Sequence, residues 1–114
     1  MEHKDSILST IKQFLGLSED ITAFDNELIV LANSAFATLM HEGVGPENGY
    51  EIKDSNDTWT DFMSDIKRLG LVKQLIPLKI KIVFDPPVNS SVLQAYERQI
   101  QELEWRLFEI SGGY

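Results

Sequence analysis

A pair of adjacent prolines divides the last third of this chain into two unlike pieces. Between Leu78 and Leu107 the sequence runs LKIKIVFDPPVNSSVLQAYERQIQELEWRL. Each proline lacks the N–H that a helix needs, and Pro87 drives Pro86 out of the helical region. Asp85, Pro86 and Pro87 therefore form a fixed elbow between two elements. Beyond it, Leu93, Tyr96, Ile100, Leu103, Leu107 and Ile110 recur at alternating spacings of three and four. That is an a/d seam sustained over roughly three heptads. The spacing predicts a long helix from Ser90 or Ser91 to about Ile110, with Ser91 and Gln94 fitting a capping box. So long a seam in a chain of 114 residues needs cover, from the other helices or from a second subunit.

The upstream segments supply candidates for that cover. A first helix is expected from Ser6 to about Leu15, with Ile7, Leu8, Ile11, Phe14 and Leu15 on one face and Gly16 as a left-handed stop. A second should open at Asp25 as N-cap, with Phe24 and Ile29 as a hydrophobic staple, and close at Gly43. Its stripe is wide: Leu28, Leu31, Ala32, Ala35 and Leu39, flanked by Ile29, Phe36 and Met40. Residues 44–57 are irregular, and Tyr50-Glu51-Ile52 reads as a short strand or an extended arm. Thr58 to Asp61 matches a capping box opening a third helix, with Trp59, Phe62, Met63, Ile66 and Leu69 inward and Gly70 at its end. Leu71 to Phe84 is ambiguous. Leu78, Ile80, Ile82 and Phe84 alternate as in a strand, whereas Leu75, Ile76, Ile80, Val83 and Phe84 fit a helical face with Pro77 in a first turn. Alternation alone favours the strand slightly.

Charge is distributed unevenly. Eleven acids lie between Glu19 and Asp65 (Glu19, Asp20, Asp25, Glu27, Glu42, Glu47, Glu51, Asp54, Asp57, Asp61, Asp65), against Lys53 alone. Lys67, Arg68, Lys73, Lys79 and Lys81 follow with no acid among them. The first block thus carries −10 and the second +5, within a chain of net charge −8. Such an acidic chain gains little from phosphate contacts, so nucleic-acid binding is disfavoured as its main role. The separation suits self-association of acidic face to basic face, or it marks two solvated surfaces.

One domain over residues 1–114 is expected, with loose ends at about 1–5 and 111–114. There are no cysteines, which excludes disulfides and thiol catalysis. No secretory signal is expected from MEHKDSILST, and no apolar run approaches the ~18 residues of a membrane span. His3 and His41 stand without a second histidine at ligand spacing. The serines lack a nucleophile-elbow setting, and Gly43-Val44-Gly45 is followed by proline and acids, not by a phosphate-binding lysine. The expected EF-hand order of oxygen ligands is missing from residues 42–65. No catalytic, metal or cofactor residue is assigned. Trp105 and Phe108 lie off the seam, three residues apart, with Arg106 beside them. Either a broad helix face buries them in the core, or they anchor another chain, as Trp and Arg commonly do at binding hot spots.

Gly43-Val44-Gly45-Pro46, then Gly49-Tyr50-Glu51-Ile52, then Thr58-Trp59, then Phe84-Asp85-Pro86-Pro87 with Ser90-Ser91, and last Glu102-Leu103-Glu104-Trp105-Arg106-Leu107, form an ordered series. In order and spacing it resembles the small head–tail connector (adaptor) proteins of long-tailed double-stranded DNA bacteriophages, from about Ile7 to Leu107. The resemblance implies an all-α fold, a compact bundle of four to five helices with an irregular loop at about 44–57 and a long C-terminal helix. It makes Leu71 to Phe84 mostly helical. It implies a structural virion protein of the neck, between capsid and tail, assembled in the host cytoplasm. The chain would form a head-to-tail ring, a dodecamer, beneath the portal protein and above a neck or tail-completion protein, with DNA passing through unbound and no membrane involved. Interface candidates are Trp105, Phe108, Arg106, Tyr50, Lys79, Lys81, Asp57 and Asp61. The alternative is a helical regulatory module that dimerises through the 93–110 seam; an enzyme is not expected.

Overall fold

The computed structural model describes residues 5–110, with the backbone alone at Phe108 and Ile110. Among the described residues it is all-α, with five helices and no strand. They are α1 (Ile7–Leu15), α2 (Asp25–His41), α3 (Trp59–Phe62), α4 (Ile66–Phe84) and α5 (Ser90–Ile110). The body is a slab of 41 × 35 × 20 Å. The expected loose ends lie, apart from Asp5, outside the described residues.

Helix α1 forms as its sequence dictates. Ser6 caps it through a bond from the Ser9 N–H, and Gly16 ends it in the left-handed region at φ 78°. Ile7, Leu8 and Ile11 are buried, but Phe14 is exposed. Lys12 is buried as well, and its ammonium donates to the Glu19 carbonyl and meets Asp25, both at 3.1 Å. A buried ammonium is tolerable only when so paired. Asp25 is therefore not an N-cap: it is the first residue of α2, its carboxylate turned to Lys12, and Phe24 takes the cap position without a side-chain bond. The Phe24 ring lies edge-on to Phe84 at 5.3 Å.

The third helix is much shorter than its pattern suggests. Thr58 and Asp61 close the capping box as expected, but Met63 is already extended (φ −162°, ψ 138°). A new helix starts because the Asp65 carboxylate accepts from the N–H groups of Lys67 and Arg68. Gly70 lies inside α4 rather than at an end, and Ile66 is exposed rather than inward. Pro77 is likewise in the interior of α4, not in a first turn.

Leu71 to Phe84 is helical throughout, so the strand reading fails. Helix α4 is the axis of the fold, packed against α5 on one side and against α1 and α2 on the other. A helix covered on two sides needs apolar residues around most of its circumference. Leu69, Val72, Leu75, Ile76, Leu78 and Ile80 are all buried, and the one-face signature is lost. Helix α5 covers its seam with α4: Ile100, Leu103 and Leu107 are buried, Leu93 and Tyr96 half-buried. Its N-cap is Asn89, whose side-chain oxygen accepts from Ser91 and Val92, so the box assigned to Ser91 and Gln94 does not form.

The 44–57 loop is irregular, as expected, yet firmly attached. Val44 and Ile52 are buried, and Asn33 on α2 bonds both backbone groups of Ile52. Backbone bonds from Ile7 to Asp57 and from Trp59 to Asp5 tie its far end to the start of α1.

Candidate functional site

The residues singled out from sequence do not converge on a cavity. They divide into a group whose polar atoms are bonded within the fold and a group that faces outward.

Asp57, Asp61 and Tyr50 belong to the first group. The Asp57 carboxylate accepts from the Lys53 N–H at 2.6 Å and from the Asp54 N–H at 3.1 Å, closing a turn of the loop. Asp61 accepts from the Thr58 N–H at 3.2 Å in the α3 capping box. Tyr50 is half-buried, its ring edge-on to Phe36 and to Phe62, each at 5.4 Å. Its hydroxyl donates to the Thr58 carbonyl at 3.4 Å. Burial, reinforced by the negative charges of Asp57 and Asp61, pushes the phenol up to about 12.

The two lysines are engaged within the chain. Lys79 bonds Glu104 at 3.3 Å, joining α4 to α5, and Lys81 bonds Asp85 at 2.9 Å, one turn away. Arg68 pairs with Asp65, and Lys73 lies 3.8 Å from Asp5. Four of the five cations in the basic block thus have partners inside the molecule. In the acidic block Asp25 and Asp65 form ion pairs, with Lys12 and Arg68. The unbalanced charge on the folded surface is therefore mainly negative. Glu42, which caps the end of α2, is raised above the usual carboxylate range by burial and then by Glu104, with Lys79 opposing.

Trp105 faces outward. By helical periodicity Arg98, Trp105 and Glu109 share the side of α5 turned away from Ile100, Leu103 and Leu107. Trp105 is 54% exposed, which removes the reading that places it in the core. Arg106 beside it bonds Glu102 at 3.0 Å, and the Phe108 side chain lies outside the described residues. The elbow is also outward: Asp85 and Pro86 are exposed, Pro87 half-buried, and Val88 fully exposed.

One surface was not legible in the sequence. Between α2 and α4 runs a groove lined by Leu31, Ser34, Ala35, Thr38, Lys79, Ile80 and Val83. In the sequence, Ala32 and Ala35 are small enough for a close helix contact; Ala35 lines the groove and Ala32 is buried. Among the described residues no three potential ligands come together to hold a metal ion, and no helix is long and apolar enough to cross a membrane. The arrangement offers surfaces for contact.

A family model described as phage connector protein matches residues 7–113, a span that takes in every helix. No curated protein and no solved structure matches the chain.

Proposed function

We propose how this chain, which belongs to the phage connector protein family, performs its connector role. It acts as a structural part of the virion, forming a head-to-tail ring beneath the portal protein. The ring continues the DNA channel and presents a docking surface to the next neck or tail component. The observation that carries this is the match across the whole bundle, 7–113, joined to a fold in which several polar side chains serve its own shape. Asp57, Asp61, Asn33 and Lys12 all serve loops, caps and helix contacts.

A ring requires unlike patches to meet between neighbours. The outward Trp105 and the groove between α2 and α4 are two such patches. The surplus of unpaired acid suits a channel wall that repels phosphate and lets DNA slide past. The regulatory alternative needs the 93–110 seam free for dimerisation, whereas Ile100, Leu103 and Leu107 of that seam are buried in the monomer, where α5 packs on α4.

Native mass spectrometry of the purified chain, alone and with the portal ring of its phage, tests the proposal. Closed high-order assemblies are expected in at least one setting. A strict dimer in both would overturn it.

A further inference from the structure

We propose that Trp105 of one copy seats in the groove between α2 and α4 of the next, with Arg98 of the first copy over Glu27 of the second. The inference rests on the ring reading and names the two surfaces that meet in it.

The groove has the size and chemistry for an aromatic ring. Leu31 and Ala35 form one wall, Ile80 and Val83 the other, and the space between them is about 130 Å³. Apolar cavities of about that volume take up a benzene-sized ring. Val83 is 63% exposed on the groove's lip although it is apolar. Trp105 is the largest exposed apolar side chain among the described residues and points away from its own bundle. Its described side-chain neighbours one turn away on α5, Gln101, Glu102 and Glu109, are polar, so among the described side chains nothing explains an indole there.

Charge complementarity selects a second copy as the occupant and sets the register. Arg98 has no ion-pair partner among the described residues, nor has Glu27. Arg98 precedes Trp105 by two turns on the same outward side, about 10 Å along the axis. Glu27 precedes Ala35 by eight residues on the groove side of α2, about 12 Å. Laid along the groove in the same direction as α2, the outer side of α5 brings indole to cavity and guanidinium to carboxylate together. The two patches lie on different elements of each copy, so the contact is heterologous and propagates instead of closing on itself as a dimer. Coupled aromatic and Arg anchors are the usual centre of such interfaces.

The cysteine-free sequence gives a clean background for cross-linking. Val30→Cys and Gln101→Cys, both at exposed positions flanking the proposed contact, are combined in one chain and treated with a short bis-maleimide under assembling conditions. A ladder extending beyond dimers is expected. Adding Trp105→Ala should reduce it at least tenfold without altering the circular dichroism spectrum. Arg98→Glu should also weaken it, and Glu27→Lys in the same chain should restore it. If rings form but the ladder is absent, stops at dimers or survives Trp105→Ala, this pairing is wrong and the ring stands. If the unmodified chain forms no assembly beyond a dimer, alone or on the portal, the ring reading itself falls and the pairing with it.

Discussion

Asn33 holds the backbone of Ile52 from both sides: its side-chain oxygen accepts from the Ile52 N–H at 2.7 Å, and its amide donates to the Ile52 carbonyl at 3.1 Å. A side-chain amide here does the work of a neighbouring strand, and fixes the 44–57 loop to the middle of α2. Replacing it by leucine leaves two backbone groups of a buried residue without partners. The expected loss is about 1–3 kcal/mol. Amide exchange at Ile52 should accelerate more than exchange in α4, and unchanged protection at Ile52 would contradict the tether.

The two tryptophans should respond in opposite ways. Trp59 is fully buried and its indole N–H donates to the Thr10 hydroxyl at 3.0 Å, so Trp59→Ala should cost about 3–5 kcal/mol. Trp105→Ala should change stability by no more than about 0.5 kcal/mol, since the side chain touches mainly solvent in the monomer. Denaturant titration of both variants decides it. A large loss from Trp105→Ala would return that residue to the core.

Two glycines give a similar contrast. Gly45 has φ +97°, and a Cβ there would lie 2.5 Å from the ring of Phe62. That ring is packed against Phe36 at 4.7 Å and cannot easily retreat. Gly45→Ala should cost at least about 1–3 kcal/mol from backbone strain alone. Gly70 lies inside α4 where a Cβ meets nothing within 4 Å. Gly70→Ala should stabilise the chain by roughly 0.5–1 kcal/mol and raise the unfolding temperature by a few degrees.

Glu42 provides a test by pH. Its folded pKa is raised by burial and by Glu104, so the folded chain holds this proton more tightly than the unfolded chain does. Ionisation at Glu42 therefore opposes folding above the raised value, and the penalty is relieved as pH falls through it. Glu42→Gln should stabilise the chain at neutral pH, and raise its denaturation midpoint, by less than about 1 kcal/mol of folding free energy, since solvent screens this half-buried group. The advantage over the parent chain should disappear at pH below the ordinary carboxylate range. A lowered midpoint at neutral pH would mean that attraction to the Lys79 charge dominates instead.

Much of the fold could be read where local chemistry decides it. Ser6 and Gly16 bracket α1, Thr58 and Asp61 start α3, and the period of Ile100, Leu103 and Leu107 marks α5. Sequence pattern failed where packing from two sides overrides it. The alternation of Leu78, Ile80, Ile82 and Phe84 mimics a strand because α4 buries residues toward both α5 and α2. The split between α3 and α4 turns on one carboxylate, Asp65, which competes with an otherwise continuous helical period. Charge blocks were visible, but not that Glu104, Asp85 and Asp5 would neutralise most of the basic one. The groove could not be foreseen, since Leu31 and Val83 meet only through the tertiary packing of α2 on α4.

Electron-microscopic reconstruction of the particle neck, with symmetry left unimposed, bears most directly on whether this chain works by encircling the DNA. Many identical copies should surround the channel between capsid and tail, each with the outer side of α5 against its neighbour. A neck without this chain, or with a single pair of copies lying off the axis, would contradict it.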